Sequence, residues 1–171
     1  MKRYVTEHAA FVNQFIADMV RDIRDDRLAD QPGGQVNHPA WILGHLSTGR
    51  DRLGQFLDLP PRLEPGWMAK YGFGSTPSAN RADYPSKDEL LNLYLTGRAE
   101  LIAAVSAAED STLAAPIPDE RLRQLFSTVG RFTVQALIAE PMFHLGQISA
   151  WRRAMGLPNV FDQTAAKINP R

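Results

Sequence analysis

Four segments of the chain carry apolar residues at alternating steps of three and four, which is the spacing of an amphipathic helix. The stripe in the first segment consists of Val5, His8, Val12, Phe15, Met19 and Ile23. No segment of comparable length alternates between apolar and polar residues as a strand does. The pattern therefore predicts an all-α protein arranged as a four-helix bundle. The predicted helices span residues 4–23, 39–59, 87–110 and 132–155.

Local signals mark several of the predicted helix ends. Pro39 suits the first position of the second helix, which should end before the proline pair at 60–61. Ser86 and Glu89 have the spacing of a capping box at the start of the third helix. Gly156 provides a stop for the last helix.

The segment between the second and third helices, residues 60–85, has a different composition. It contains five prolines, three glycines and four aromatic residues. A loop of this length is uncommon in a compact domain, and it is either a functional lid or a surface loop packed by its own aromatic residues. A second break is predicted at residues 111–118, followed by a short segment of one or two turns at 119–127.

Composition narrows the possible functions of the chain. The 171 residues suit one domain over residues 1–171, and 19 basic residues balance 19 acidic ones. Nucleic-acid binding is therefore not expected. The chain has no cysteine, which excludes disulfides, thiolate ligands and a cysteine nucleophile. Neither a signal peptide nor a membrane span is recognisable, so a cytoplasmic protein without a membrane partner is expected.

The last predicted helix places polar residues on one face. Glu140, His144, Gln147 and Trp151 follow one another at steps of four, three and four. The neighbouring stripe is apolar, so this face should point into or beside the core. A carboxylate and an imidazole four residues apart can bind one cation, but such a pair is more often a solvated ion pair.

His45 in the second helix strengthens the metal hypothesis, because it lies within the apolar run Trp41-Ile42-Leu43-Gly44-His45-Leu46. A core histidine with an ordinary hydrogen-bond partner is the alternative. Gly44 would permit a neighbouring backbone to approach. His38 is expected to cap the second helix, and His8 is expected in the core.

Two motifs resemble those of the DinB/YfiT-like superfamily. Residues 38–46 read HPAWILGHL, similar to the second-helix motif of that family. Residues 144–148 read HLGQI and residues 152–158 read RRAMGLP, similar to the motif of its last helix. The order of the parts also agrees along nearly the whole chain. The resemblance implies a helical bundle with a divalent metal bound by three histidines.

At one of the three implied ligand positions this chain departs from the family. The implied ligands are His45, position 140 and His144, and position 140 holds glutamate. Glu140 is then a ligand itself, or a base beside a weaker two-histidine site, or a sign that the metal has been lost. Pro141 disfavours helical geometry at Glu140, and a kink there would change the direction of the carboxylate.

The family resemblance implies enzymes that transfer or isomerise with low-molecular-weight thiols, so a divalent-metal-dependent S-transferase that acts on a small-molecule substrate is the first hypothesis. A divalent zinc, nickel or iron ion suits a two-histidine, one-carboxylate set. The same ion could instead activate water for hydrolysis. A non-catalytic bundle that binds a small ligand or serves as a stress-associated interaction protein is the third hypothesis. Gln147 is expected to orient a ligand, Trp41 and Tyr71 to line the pocket, and the chain to form a homodimer.

Overall fold

The computed structural model describes residues 2–158 and residue 160, and it confirms the all-α class. No strand occurs among these residues, which form only one isolated bridge, between Pro116 and Thr128. The domain predicted over residues 1–171 extends beyond them, because residues 1, 159 and 161–171 lie outside the described part. The α-helices are α1 Lys2–Arg21, α2 Pro39–Gly54, α3 Trp67–Tyr71, α4 Lys87–Ala107, α5 Asp110–Ala114, α6 Glu120–Leu125, α7 Val129–Val134 and α8 Glu140–Ala154.

The helix starts follow the capping signals of the sequence. Ser86 Oγ accepts a hydrogen bond from the Glu89 amide, and a Glu89 carboxylate oxygen accepts one from the Ser86 amide at 2.8 Å, so the capping box of α4 is complete. At α2 the His38 imidazole accepts a hydrogen bond from the Trp41 amide and Pro39 occupies the first helical position, as expected. Both helices thus begin where the sequence predicts.

The last long helical segment runs from α7 to α8 through one π-helical turn, Gln135–Ala139. It begins at Val129, three residues before the predicted start, because the Thr128 side chain accepts a hydrogen bond from the Arg131 amide and caps α7. At its other end Gly156 adopts a φ of 70°, the left-handed conformation that ends helices, as the sequence predicts.

The two segments predicted as loops contain short helices. Within residues 60–85 lie α3 and a 3₁₀ turn at Arg81–Asp83. Tyr71 and Tyr84 are buried there, whereas Phe73 is 96% exposed. The predicted break at 111–118 is wrong in its first residues, because α5 covers them; α6 lies in the segment expected to hold one or two turns. Helices of five or six residues are too short for a hydrophobic period to reveal.

The long helices pack on one another in pairs. Helix α4 packs against both α1 and α2, and α8 packs against the same two helices. The described residues also form the short helices α3, α5 and α6 beside the long ones. The all-α class is therefore confirmed, whereas the arrangement as a four-helix bundle stays a prediction. None of the described helices combines the length and the hydrophobicity needed to cross a bilayer.

A buried arginine on α4 links this helix to α1 and to the π-helical turn before α8. The Arg98 guanidinium, 1% exposed, donates to Asn13 Oδ1 and to the carbonyl oxygens of Ala136 and Leu137 at 2.7–3.0 Å. Pro141 has no amide hydrogen, so the carbonyl of Leu137 lacks its α-helical partner and that of Ala136 lacks its π-helical one. Arg98 supplies the donors that Pro141 cannot provide. Burial lowers the pKa of this guanidinium.

Candidate metal centre

Helices α2 and α8 bring His45, Glu140 and His144 together. Glu140 Oε1 lies 3.1 Å from His45 Nε2 and 3.4 Å from His144 Nε2, and one donor atom from each residue lies within 4.8 Å of the others. Both imidazoles are buried, and the Glu140 side chain is 37% exposed. The group could therefore hold a metal ion.

The second nitrogen of each imidazole is engaged by an acceptor. His45 Nδ1 lies 2.7 Å from the carbonyl oxygen of Tyr71, which can only accept, so Nδ1 carries a proton. His144 Nδ1 lies 2.8 Å from Gln147 Oε1, and Asn37 Nδ2 donates to the same oxygen at 3.1 Å. In the neutral imidazoles both Nε2 atoms then direct lone pairs toward Glu140. This is the arrangement in which histidines bind metals.

The electrostatics of the three groups require a positive charge between them. Hydrogen bonds that the imidazoles donate when Nε2 is protonated, from His144 first and then from His45, hold the pKa of Glu140 well below its usual range, so its carboxylate is ionised at neutral pH. Two nitrogen lone pairs facing an anionic oxygen repel it unless a proton or a cation lies between them. Tetrahedral ligands about 2.0–2.1 Å from zinc are roughly 3.3 Å apart. The oxygen–nitrogen separations of 3.1 and 3.4 Å suit ligands of one cation, and they equally suit hydrogen bonds from protonated imidazoles.

The π-helical turn sets the direction of Glu140. Glu140 itself keeps helical angles, φ −62° and ψ −51°, so the expected loss of helical geometry at this residue is wrong. The irregularity lies one turn earlier, where the Glu140 amide donates to the Gln135 carbonyl, five residues back. The side-chain Nε2 of Gln135 donates to Glu140 Oε2 at 2.9 Å, which leaves Oε1 for the histidines.

Trp41 and Tyr71 pack around the His45 end of the centre. The Trp41 ring stacks on His45 with centroids 4.7 Å apart, and its indole donates to Ser75 Oγ at 3.1 Å. The Tyr71 ring packs against Gly44, so it is a side chain, not a backbone, that approaches this glycine. Neither aromatic residue is among those that line the cavity at the centre, because the Trp41 ring lies against His45 and His144 and the Tyr71 ring lies against Gly44.

A cavity of about 320 Å³ begins at His45 and Glu140. Arg52 is the remaining charged residue of its lining in the described part of the chain. The other lining residues are Leu46, Thr48, Gly49, Phe73, Leu122, Leu125, Phe126, Phe132, Gln135 and Ala136. The candidate metal centre thus adjoins a mainly apolar space of the size that small ligands occupy.

The remaining histidines lie outside this cluster. His38 is fully buried at the start of α2, as expected of a capping residue. His8 was expected in the core, but it is exposed and stacks on Phe11, with ring centroids 5.8 Å apart. Thr6, Ala9 and Val12 are buried, so this part of α1 already faces the core and His8 lies outside its buried face.

Sequence reasoning missed two residues that contact the centre, Gln135 and Asn37. Gln135 is five residues before Glu140, a spacing that faces the same way only in a π turn. The proline at 141 was the available signal for such an irregularity. Asn37 precedes α2 and belongs to no periodic pattern, so nothing in the sequence linked it to Gln147.

Comparison with known proteins supports the assignment that the motifs suggest. The family model described as the DinB superfamily matches residues 11–148, which include all three candidate ligands. No curated protein and no solved structure matches the chain significantly. The match covers most of the chain, and the chain belongs to the DinB superfamily.

Proposed function

We propose that this member of the DinB superfamily is a divalent-metal-dependent enzyme that transfers a low-molecular-weight thiol to an electrophilic small molecule. The observation that carries the proposal is the convergence of His45, His144 and an ionised Glu140 at one end of an apolar cavity. Three protein ligands leave a coordination position open, which is typical of catalytic rather than structural sites.

His45, His144 and Glu140 would hold the ion, and two nitrogens with one oxygen suit zinc, nickel or ferrous iron. The ion would supply a Lewis acid that stabilises a thiol in its deprotonated form. The Tyr71 carbonyl and Gln147 would fix the two imidazoles, and Gln135 would hold the carboxylate. Because the chain has no cysteine, the sulfur nucleophile must come from a second small molecule.

The cavity favours thiol transfer over amide hydrolysis. His45 and Glu140 are committed as ligands, and no other carboxylate or imidazole lines it among the described residues. Hydrolysis of an amide needs an acid that protonates the leaving nitrogen. In thiol transfer the thiol releases its proton to solvent and its sulfur bonds to the electrophilic carbon. The leaving group departs with its own electron pair, so no second acid is required.

Elemental analysis of the protein purified without an affinity tag tests the metal centre. We expect one bound equivalent in the wild type and in the exposed control His8→Ala, and loss of the metal in His45→Ala and His144→Ala. Unchanged metal content in Glu140→Gln would exclude Glu140 from the ligands. Wild-type protein that binds no metal would overturn the proposed function and leave a non-catalytic helical protein.

The reaction class is tested on the metal-loaded protein. Small thiols are screened with an electrophilic acceptor, and ester and amide hydrolysis are measured in parallel. We expect thiol consumption that disappears in His144→Ala and persists in His8→Ala. Hydrolysis without thiol consumption would instead identify a metal-dependent hydrolase.

A further inference from the structure

Arg52 lines the cavity and has no carboxylate partner among the described residues. Its guanidinium carbon lies 5.8 Å from the centroid of the Phe132 ring, and no carboxylate of the described residues lies within 4 Å. Arg50, on the same helix, contacts the carboxylates of Asp51 and Glu100 at 3.0 and 2.9 Å. A partly buried guanidinium that lies over an aromatic ring, and whose donors have no partner among the described residues, is suited to bind an anion in a planar, bidentate manner.

The charged residues beside Arg52 leave it available. Arg121 and Asp119 line the adjoining surface depression, which shares Arg52 and Phe73 with the cavity. The Asp119 carboxylate already accepts a hydrogen bond from the Leu122 amide at 2.7 Å and caps α6. Arg121 adds a second positive charge without an ion pair among the described residues. The local charge at this end of the cavity therefore favours an anion.

The walls between Arg52 and the metal centre are mainly apolar. Phe126 and Phe132 contact each other, with centroids 5.5 Å apart, and belong to this wall. At the rim, Phe73 is 96% exposed and Leu125 is 73% exposed. Large apolar side chains that converge on a cavity while exposed to water mark a site that an apolar ligand covers.

The helix geometry fixes the distance between the two polar ends. His45 and Arg52 are seven residues apart on α2, so they lie on the same face about two turns, or roughly 10 Å, apart along the axis. A ligand that contacts both ends must therefore carry its anionic group about 10 Å from the atom that faces the metal centre.

From the lining of the cavity and the charges of the described residues we infer that the cavity binds an amphipathic carboxylic acid, whose carboxylate pairs with Arg52 and whose apolar body packs on Phe132 and Leu122. The inference rests on the proposed function, and it names the acceptor substrate as an apolar acid whose electrophilic end lies at His45 and Glu140. Arg52 is then the residue that selects acids over neutral molecules of the same shape.

Isothermal titration of the full-length protein with 4-phenylbutanoate and 4-phenylbutanamide tests this inference, with the metal content measured on the same samples. We expect the wild type to bind the acid at least about tenfold more tightly than the amide, since charge-assisted pairing is the difference between them. Arg52→Gln should remove the preference, and Arg52→Lys should keep part of it. The control Arg131→Gln, an exposed arginine on α7 outside the cavity, should keep it in full.

Equal affinity for the acid and the amide, or no binding of the acid, would overturn the inference. So would an unchanged preference in Arg52→Gln, which would place the carboxylate elsewhere, on a bound metal for example. The metal content separates the two proposals. Metal-free protein that prefers the acid contradicts the proposed function alone, whereas metal-loaded protein without the preference contradicts only the assignment of Arg52.

Discussion

Gly44 is the residue of α2 against which the Tyr71 ring packs. A Cβ atom at this position would lie 2.3 Å from two carbons of the Tyr71 ring, which is 1% exposed. The carbonyl of the same tyrosine accepts the hydrogen bond from His45 Nδ1. A side chain at 44 would therefore displace both a core aromatic residue and the group that orients a candidate ligand.

We expect Gly44→Ala to lower the free energy of unfolding by about 1–3 kcal/mol, the usual cost of overpacking. It should also weaken metal binding, because displacement of Tyr71 turns the His45 imidazole. Urea denaturation and metal titration measure the two effects.

Gly146→Ala is the matched control for this change. A Cβ there meets nothing within 4 Å, and alanine in a helix is more stable than glycine by roughly 0.5–1 kcal/mol. The control should be neutral or stabilised with unchanged metal affinity. A Gly44→Ala protein as stable as the Gly146→Ala protein would show that Tyr71 adjusts without cost.

His38 makes the stability of the fold depend on pH. Burial lowers its pKa from the ordinary 6.5, and its neutral ring accepts from the Trp41 amide while the other nitrogen contacts the Ser78 carbonyl oxygen at 2.9 Å. A proton added to the capping nitrogen would face the Trp41 amide and remove the cap. The neutral form is thus favoured by folding, and its contribution is present above pH 6.5 and is lost as the pH falls through the lowered pKa.

We expect the wild type to lose more stability between about pH 7.5 and about pH 5.5 than His38→Asn does, although asparagine can still cap the helix. Chemical denaturation at the two pH values measures the difference. The other three histidines are the same in both proteins, so the comparison isolates His38. Equal losses in the two proteins would exclude His38 as the source.

At the scale of single residues, sequence reasoning predicted the polar groups of the site but not how they are held. His45 and His144 were recognisable because imidazoles within apolar runs need partners, and the family resemblance paired them with position 140. Gln135 and Arg98 follow from no local rule, because Arg98 binds a segment that is distant in the sequence and Gln135 lies out of the α-helical period. Hydrogen bonds of this kind are determined by tertiary packing.

At the scale of helical elements, the π-helical turn and Arg98 form a unit with Pro141. The guanidinium donates to the carbonyls of Ala136 and Leu137, for which Pro141 has no amide hydrogen. The turn also sets the helical phase at which Glu140 emerges. Arg98 and Pro141 should therefore be coupled energetically, although they belong to different helices.

We expect Arg98→Met to destabilise the protein by about 3 kcal/mol or more, because it leaves two buried carbonyls unpaired at roughly 1–3 kcal/mol each. Pro141→Ala restores an amide donor and should recover part of this loss in the double mutant. The coupling energy of the double-mutant cycle should then lie between about 0.5 and 3 kcal/mol. Strictly additive effects in urea denaturation would show that Arg98 does not compensate for the proline.

The same elements show how far the sequence predicts the fold. The three long helices α1, α2 and α4 follow from a period that extends over four or more turns and from their capping residues. Helices α3, α5 and α6 have five or six residues, and they are held by tertiary contacts that a local pattern does not contain. The π turn lies within a segment that was predicted as a regular helix. The spacing of apolar residues does not show whether a backbone amide donates to the carbonyl four residues back or to the one five residues back.

At the scale of the whole molecule, the metal centre would join helices that are distant in the sequence. His45 lies on α2 and the other two ligands lie on α8, so one ion would connect segments about 95 residues apart. An ion that binds the folded chain, and binds the unfolded chain weakly, stabilises the fold by mass action. Thermal unfolding should therefore report occupancy of the centre independently of any catalytic assay.

With free zinc at about 100 times its dissociation constant, the added stability is about 2.7 kcal/mol. For a chain of 171 residues we expect this to raise the Tm by roughly 5–10 °C over that in a chelator. Differential scanning calorimetry of the wild type, His8→Ala and His144→Ala measures it. His8→Ala should show the full increase and His144→Ala little of it, because a monodentate carboxylate and one imidazole bind zinc weakly. An equal increase in all three proteins would mean that zinc stabilises the fold by binding elsewhere on its surface. Loss of the His144 imidazole removes a ligand of the proposed centre and should lower the increase if zinc binds there.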